Sequence, residues 1–436
     1  MRQFLLSLSI SILLLLWVIV LSPTRRNYHI ESSYDCRNRL DCSLNGKCNA
    51  SRECECNVGW TGSYCQMLDL EPAYNGSGLQ SHLYNNRTSS WGGSVLVDDE
   101  GVWHMWYSEI THHCGIHRWL TNSQVVHAIS RGGSWNFTPQ EVLFPIFAHE
   151  PIVTRTSDGM YVMYLTLNPN GKAADEPTCH CKDGNSNSGR ENGCAYEPSG
   201  SSKKEWYNSY MTYSESPYGP WSIPQSLGHV DPSIKNCDLN LSPVIHANGS
   251  ALFWTRWNIW YADDWKNVSS YRDLGPAPDF DHNSTWEGED PSMWIDQNGH
   301  YHIISHNGAR GQFGLDGDCG RHLFSISGLP GTWRLSYQSS ELGGCAYSRN
   351  VSWRDTKNHT FYRRERPHLI FNQDGDPVAL STAVIDDPSG PGENGPEGQR
   401  DASYTLIQTI RGSSFSETNY ENGVLKNGLA DQKQMD

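Results

Sequence analysis

The sequence predicts an all-β chain: a five-bladed β-propeller behind a small disulfide-rich module and an N-terminal hydrophobic helix. Three observations carry this. Six of the thirteen cysteines crowd into residues 36 to 65, and a segment that short cannot bury enough apolar core to fold without cross-links. Five later segments repeat one strand, glycine-turn, strand pattern. No stretch after residue 22 repeats apolar residues at i, i+3, i+4 and i+7 over three turns, so long helices are not expected there.

The elements follow in order. Phe4 to Leu21 is an apolar run between Arg2 and Arg25-Arg26, longer than most signal-peptide cores and near the shortest membrane-spanning helix. Residues 1–26 therefore read as a signal peptide or signal anchor, the one part of the chain expected to meet a membrane. Either role sends the protein into the secretory route, outside the cell or lumenal. Ten Asn-x-Ser/Thr sequons agree with that destination. A net charge of −15 with no basic stripe argues against a nucleic-acid partner. No metal or cofactor is called for.

Cys36, Cys42, Cys48, Cys54, Cys56 and Cys65, with Gly59-Trp60-Thr61-Gly62 ahead of the last, resemble an EGF-like module over residues 32–66. Spacing alone leaves fifteen pairings open. The resemblance implies Cys36–Cys48, Cys42–Cys54 and Cys56–Cys65. Seven cysteines remain outside the module, and Cys179-His180-Cys181 reads as part of a stapled loop.

The repeat begins at Gly93-Ser94-Val95-Leu96-Val97 and returns at Glu150-Pro151-Ile152-Val153, Ser242-Pro243-Val244-Ile245, Asp290-Pro291-Ser292-Met293-Trp294 and Arg366-Pro367-His368-Leu369-Ile370. Gly101, Gly159, Gly249, Gly299 and Gly375 punctuate the copies, each followed by a second apolar strand, as a β-hairpin requires. Proline is tolerated at these strand starts because the first residue need not donate to the ladder. Third strands recur behind several hairpins, ending at Trp135, Trp221 and Trp333. Five such copies make a radial array that protects its sheet edges.

Ser216-Pro217-Tyr218-Gly219-Pro220-Trp221, the strand-opening x-Pro pairs, and Glu289-Asp290-Pro291 with Arg321-His322-Leu323-Phe324-Ser325 resemble the propellers of glycoside hydrolase family 43, in a largely uncharacterised branch. The resemblance spans residues 85–411, with an insertion at 168–204 and a polar tail, 412–436, expected to be disordered. It implies a carbohydrate partner and cleavage of a glycosidic bond, with a non-catalytic carbohydrate-binding or adhesion protein as the alternative.

Residues just before each x-Pro converge on one end of a propeller channel. They include His149-Glu150, Glu289-Asp290 and Glu365-Arg366, with Trp91 from the first blade. Glycosidic cleavage needs one carboxylic acid and one carboxylate across the scissile bond, so Glu150, Asp290 and Glu365 are the candidate catalytic set, joined by His322 as a candidate acid. His149, Glu289, Arg366, Trp91 and Trp294 are candidate substrate contacts. Three acids on one axis are expected to repel one another, with Arg366 offsetting part of that. The family's trio resembles Asp, Asp and Glu in blades one to three. Here blade one has Gly92-Gly93 and blade three Leu241-Ser242, so only Glu150 coincides in place and type. Acidic residues at strand starts also cap turns.

Overall fold

The computed structural model describes residues 35–74, 76–79, 88–168, 208–228, 240–255, 258–278, 289–306, 319–336, 345–354, 358–385, 403–413, 420–421 and 424–425. The chain divides into Met1–Asp35 and Cys36–Asp436, and of the first unit only Asp35 is described. The predicted N-terminal helix therefore lies outside the described residues, as does the insertion beyond Asn168. Among the described residues no helix is long and apolar enough to cross a membrane. In the polar tail Tyr420–Glu421 pairs with Val424–Leu425.

Five antiparallel sheets follow in chain order, each a meander. Their first strands are Ser89–Val97, Ala148–Arg155, Ser242–Ile245, Glu289–Ile295 and Arg363–Phe371. Each first strand touches that of the next sheet, and the fifth touches the first, so the sheets close into a ring of blades. The glycines predicted at the hairpin tips all take positive φ, between 78° and 89°.

The core is a set of seams between facing blades. Trp106, Val125, Val153 and Met163 fill the seam between blades one and two. Val162, Tyr164, Phe253 and Trp260 fill the next, and Val95, Met105, Ile370 and Ile407 the one where five meets one. Side chains also cross between first strands. Ser94 Oγ accepts from Val153 N at 2.9 Å, Ser242 Oγ from Met293 N at 2.8 Å and Ser292 Oγ from Leu369 N at 3.3 Å; His368 Nε2 faces Val95 O at 3.2 Å. A buried aromatic or large aliphatic side chain contributes about 1.5–3 kcal/mol and such a hydrogen bond about 1 kcal/mol. The seams hold the ring, and the serines fix the height of each blade against its neighbour.

Among the described residues blade five has three strands, the last being Ser403–Thr409. Residues ahead of blade one run along its outer edge: Leu70 bridges Ile410, Leu79 bridges Thr405, and Glu71 N donates to Thr409 O at 2.8 Å. Strand 404–409 thus belongs to blade five and is closed by residues that precede blade one.

Three disulfides, Cys36–Cys48, Cys42–Cys54 and Cys56–Cys65, bind the module; Cys319–Cys345 staples blade four. The module does not stand apart from the ring. Cys36, Cys42, Trp60, Cys65 and Leu68 share one buried cluster with Ile304 of blade four and Leu369, Leu380 and Ile410 of blade five.

Candidate active site

One backbone irregularity recurs near the start of the first strand in four blades. The register slips between Trp91 and Gly93, between the partners of His149 and Ile152, between Glu289 and Ser292, and between Glu365 and His368. At each slip one residue has positive φ: Gly92 (59°), Glu150 (54°), Asp290 (54°) and Arg366 (52°); Asn240, ahead of the blade-three strand, has φ 42°. A bulge re-aims the side chain it carries, and holding a non-glycine residue in this region costs on the order of 1–3 kcal/mol. The proline after Glu150, Asp290 and Arg366 has no N–H to lose at the unpaired position. Glu150, Asp290 and Arg366 are thereby sent to one place from three blades, and Asn240, ahead of blade three, joins them.

There Arg366 is the hub. Its Nη1 lies 3.2 Å from Glu150 Oε1 and 3.1 Å from Asp290 Oδ1. Asn240 Nδ2 also donates to Asp290 Oδ1, at 2.6 Å. The arginine stem lies against Gly92, where a Cβ would stand 2.5 Å from Arg366 Cδ. Gly92→Ala should therefore lower stability by about 1–3 kcal/mol, from strained φ and a displaced guanidinium; comparing urea midpoints with the parent checks this.

Glu365 meets Arg363, whose Nε and Nη2 both donate to its carboxylate, the latter at 2.6 Å. The expected mutual repulsion is replaced by alternation: two guanidiniums interleave three carboxylates. His149 packs under Trp119, ring centroids 4.9 Å apart, with Nδ1 2.7 Å from Ser123 Oγ and Nε2 3.6 Å from Glu150 Oε1. Burial, then the nearby Arg366 charge, hold His149 well below the usual histidine range, so it is neutral beside Glu150. Trp91 is buried, with the Arg363 guanidinium 5.5 Å from its ring centre. Glu289 opens the blade-four strand opposite His306.

Two sequence expectations are displaced. His322 lies on the third strand of blade four, away from the axial carboxylates. Its Nε2 is 3.0 Å from His302 Nδ1, its Nδ1 faces Ser336 Oγ, and the tilted ring of Trp60 from the module lies 4.8 Å from it. Trp294 stacks on His302 at 5.1 Å and on Trp60 at 6.3 Å instead of facing the carboxylates. Both residues serve the seam to the module, because alternation along paired strands puts them on that face of blade four. Gly92, Asn240 and Arg363 were not singled out for the site by sequence, and His306, one of several histidines that could serve as an acid, was passed over for His322. The only signal for Arg363 was its i, i+2 spacing from Glu365, which puts both on one face of a strand.

Asp290, His306 and Glu365 offer ligand atoms within 4.8 Å of one another, a spacing that could hold a metal ion. Each of these carboxylates already carries a guanidinium, which weakens the case for a cation. A cavity of about 10 Å³, one water's worth, lies among Glu150, Asn240, Tyr164 and Arg366. A far larger cavity, about 810 Å³, is lined by all five first strands further towards their hairpin turns and includes none of the three carboxylates. The chemistry, not the larger volume, marks the site.

Four four-stranded sheets and a fifth of three described strands, closed into a ring with polar residues of the first strands meeting inside it, make a five-bladed β-propeller. Glycoside hydrolases are among the solved structures it is similar to. An α-L-arabinofuranosidase from Podospora anserina, solved with cellotriose, shares the fold at TM-score 0.50 and 9% identity, over 79% of this chain and 98% of that one. A family 117 glycoside hydrolase from Zobellia galactanivorans matches at TM-score 0.44 and 10% identity, over 79% and 89%. A family 43 protein from Bacillus licheniformis matches at TM-score 0.43 and 12% identity, over 75% of this chain and 53% of that one. No family model matches the chain, and no curated protein does.

Proposed function

We propose that this protein enters the secretory route and hydrolyses a glycosidic bond at the axial carboxylates. The carrying observation is that Glu150 and Asp290, from different blades, both reach the same nitrogen of Arg366. Their nearest oxygens are thus no further apart than two hydrogen-bond lengths. That bound admits the ~5–5.5 Å of retaining glycosidases and falls short of the ~6.5–9.5 Å that leaves room for a water. In this reading Asp290 attacks the anomeric carbon while Glu150, the least buried of the three, protonates the departing oxygen. Glu150 then takes a proton from the water that breaks the glycosyl–Asp290 bond. Glu365 and His149 hold sugar hydroxyls and Arg366 compensates the charge of the pair.

A second reading rests on the same guanidinium. Arg366 stands between the two carboxylates, where a scissile bond would have to enter; if it does not yield, the site binds glycans without cleaving them. Screening hydrolysis of a glycan panel separates the two. Glu150→Gln and Asp290→Asn should each lower turnover by at least a hundredfold while both proteins stay folded. A parent that binds glycans on an array but cleaves none leaves the binding reading standing alone.

A further inference from the structure

His306 ends the second strand of blade four and is 3% exposed, yet neither ring nitrogen has a hydrogen bond. The nearest carboxylate oxygen, Glu365 Oε1, stands 3.6 Å from Nε2, too far for a direct bond. An imidazole always carries at least one N–H donor, and leaving a buried polar group unmet costs about 1–3 kcal/mol. Interiors rarely sustain such a group without a partner. The partner's chemistry can be read from the surroundings.

Glu365 carries the Arg363 guanidinium and Asp290 the Arg366 guanidinium. A metal ion beside His306 would face two guanidiniums, and an anion would face two carboxylates. An uncharged hydroxyl meets neither objection. Its oxygen accepts from an imidazole N–H while its proton goes to a carboxylate, and a gap of 3.6 Å between Nε2 and Oε1 is one that a single hydroxyl can bridge. We infer that His306 is a ligand-contacting residue of this site, bound to a hydroxyl of an uncharged polyhydroxylated ligand that is shared with Glu365. The inference deepens the carbohydrate reading and rests on it.

The test is His306→Phe, which keeps a flat ring and removes both nitrogens, with His306→Gln as a second variant that restores a donor. Parent and variants are compared by thermal melting, by calorimetric titration with neutral glycans that the parent binds, and by titration with calcium and magnesium. The Phe variant should melt no lower than the parent, since it removes an unmet polar group, and should bind glycan at least tenfold more weakly. The Gln variant should recover part of that loss. Unchanged glycan binding in the Phe variant overturns the inference and leaves the carbohydrate reading intact. So does a Phe variant that melts far below the parent, which would make His306 structural. A calcium or magnesium shift in melting temperature, present in the parent and absent in both variants, would make the site a cation site. A parent that binds no glycan overturns the carbohydrate reading itself, and this inference with it.

Discussion

Arg366→Met should unfold the protein more readily than any single carboxylate change, by about 3–5 kcal/mol. Glu150 and Asp290 would then be left at the axis with no cation between them, and an uncompensated buried charge carries a penalty of that size. Asp290→Asn removes one partner of Arg366 but leaves it Glu150, so about 1 kcal/mol is expected. The double change Glu150→Gln, Asp290→Asn strands the guanidinium instead and should approach the arginine variant. Denaturant midpoints of the four proteins decide the matter. If Asp290→Asn alone is as damaging as Arg366→Met, the two carboxylates do not share the arginine's charge.

Acid should destabilise the fold well before its carboxylates titrate. Blade one holds a buried chain from Asp98 Oδ2 to His104 Nε2 at 3.1 Å, and on from His104 Nδ1 to His127 Nε2 at 3.0 Å. Blade four has a looser counterpart: Asp296 Oδ2 stands 3.6 Å from His302 Nε2, and His302 Nδ1 is 3.0 Å from His322 Nε2. Burial, then the neighbouring His104, push His127 down to about 3, and burial, then His302, carry His322 well below its usual range. Burial pushes His368 down to about 4. The unfolded chain takes these protons near pH 6.5, whereas the folded chain refuses them until far lower pH. Their contribution is thus fully present above pH 6.5 and is lost as pH falls towards 4 and then 3. Each such histidine adds about 1.4 kcal/mol per pH unit to the slope. Urea midpoints between pH 7 and pH 4.5 should fall steeply, and His127→Phe should flatten the curve. An unchanged slope in that variant would mean that His127 is protonated in the folded state.

Much of the ring was readable because its signals are local. A glycine tip, an alternating strand and a proline after the bulge recur in register, so Glu150, Asp290 and Arg366 fall at equivalent positions on paper as they do in space. What lies across strands was not readable. His322 adjoins Leu323-Phe324-Ser325, a third strand that the sequence does mark, but only its contact with Trp60 shows that it faces the module. Gly92 looked like a missing acid. It is instead the space that Arg366 needs, a property of a residue more than two hundred and fifty positions away. Asn240 heads a sequon, but its amide nitrogen is committed to Asp290 and Ser242 Oγ to Met293, so this sequon is a poor glycan acceptor.

The two histidine chains are roofed differently. In blade one Tyr218, from the connection that follows the third strand of blade two, sits edge-on over both rings at 5.2 and 5.3 Å. In blade four Trp60, from the disulfide module, takes the equivalent place. Among the described residues blade five has no fourth strand of its own, and the segment after the module runs along its outer edge. During synthesis the module and that strap emerge first, yet their docking surface is made last, when residues 403–410 leave the ribosome. The ring is therefore a clasp whose two halves lie more than three hundred residues apart in the chain.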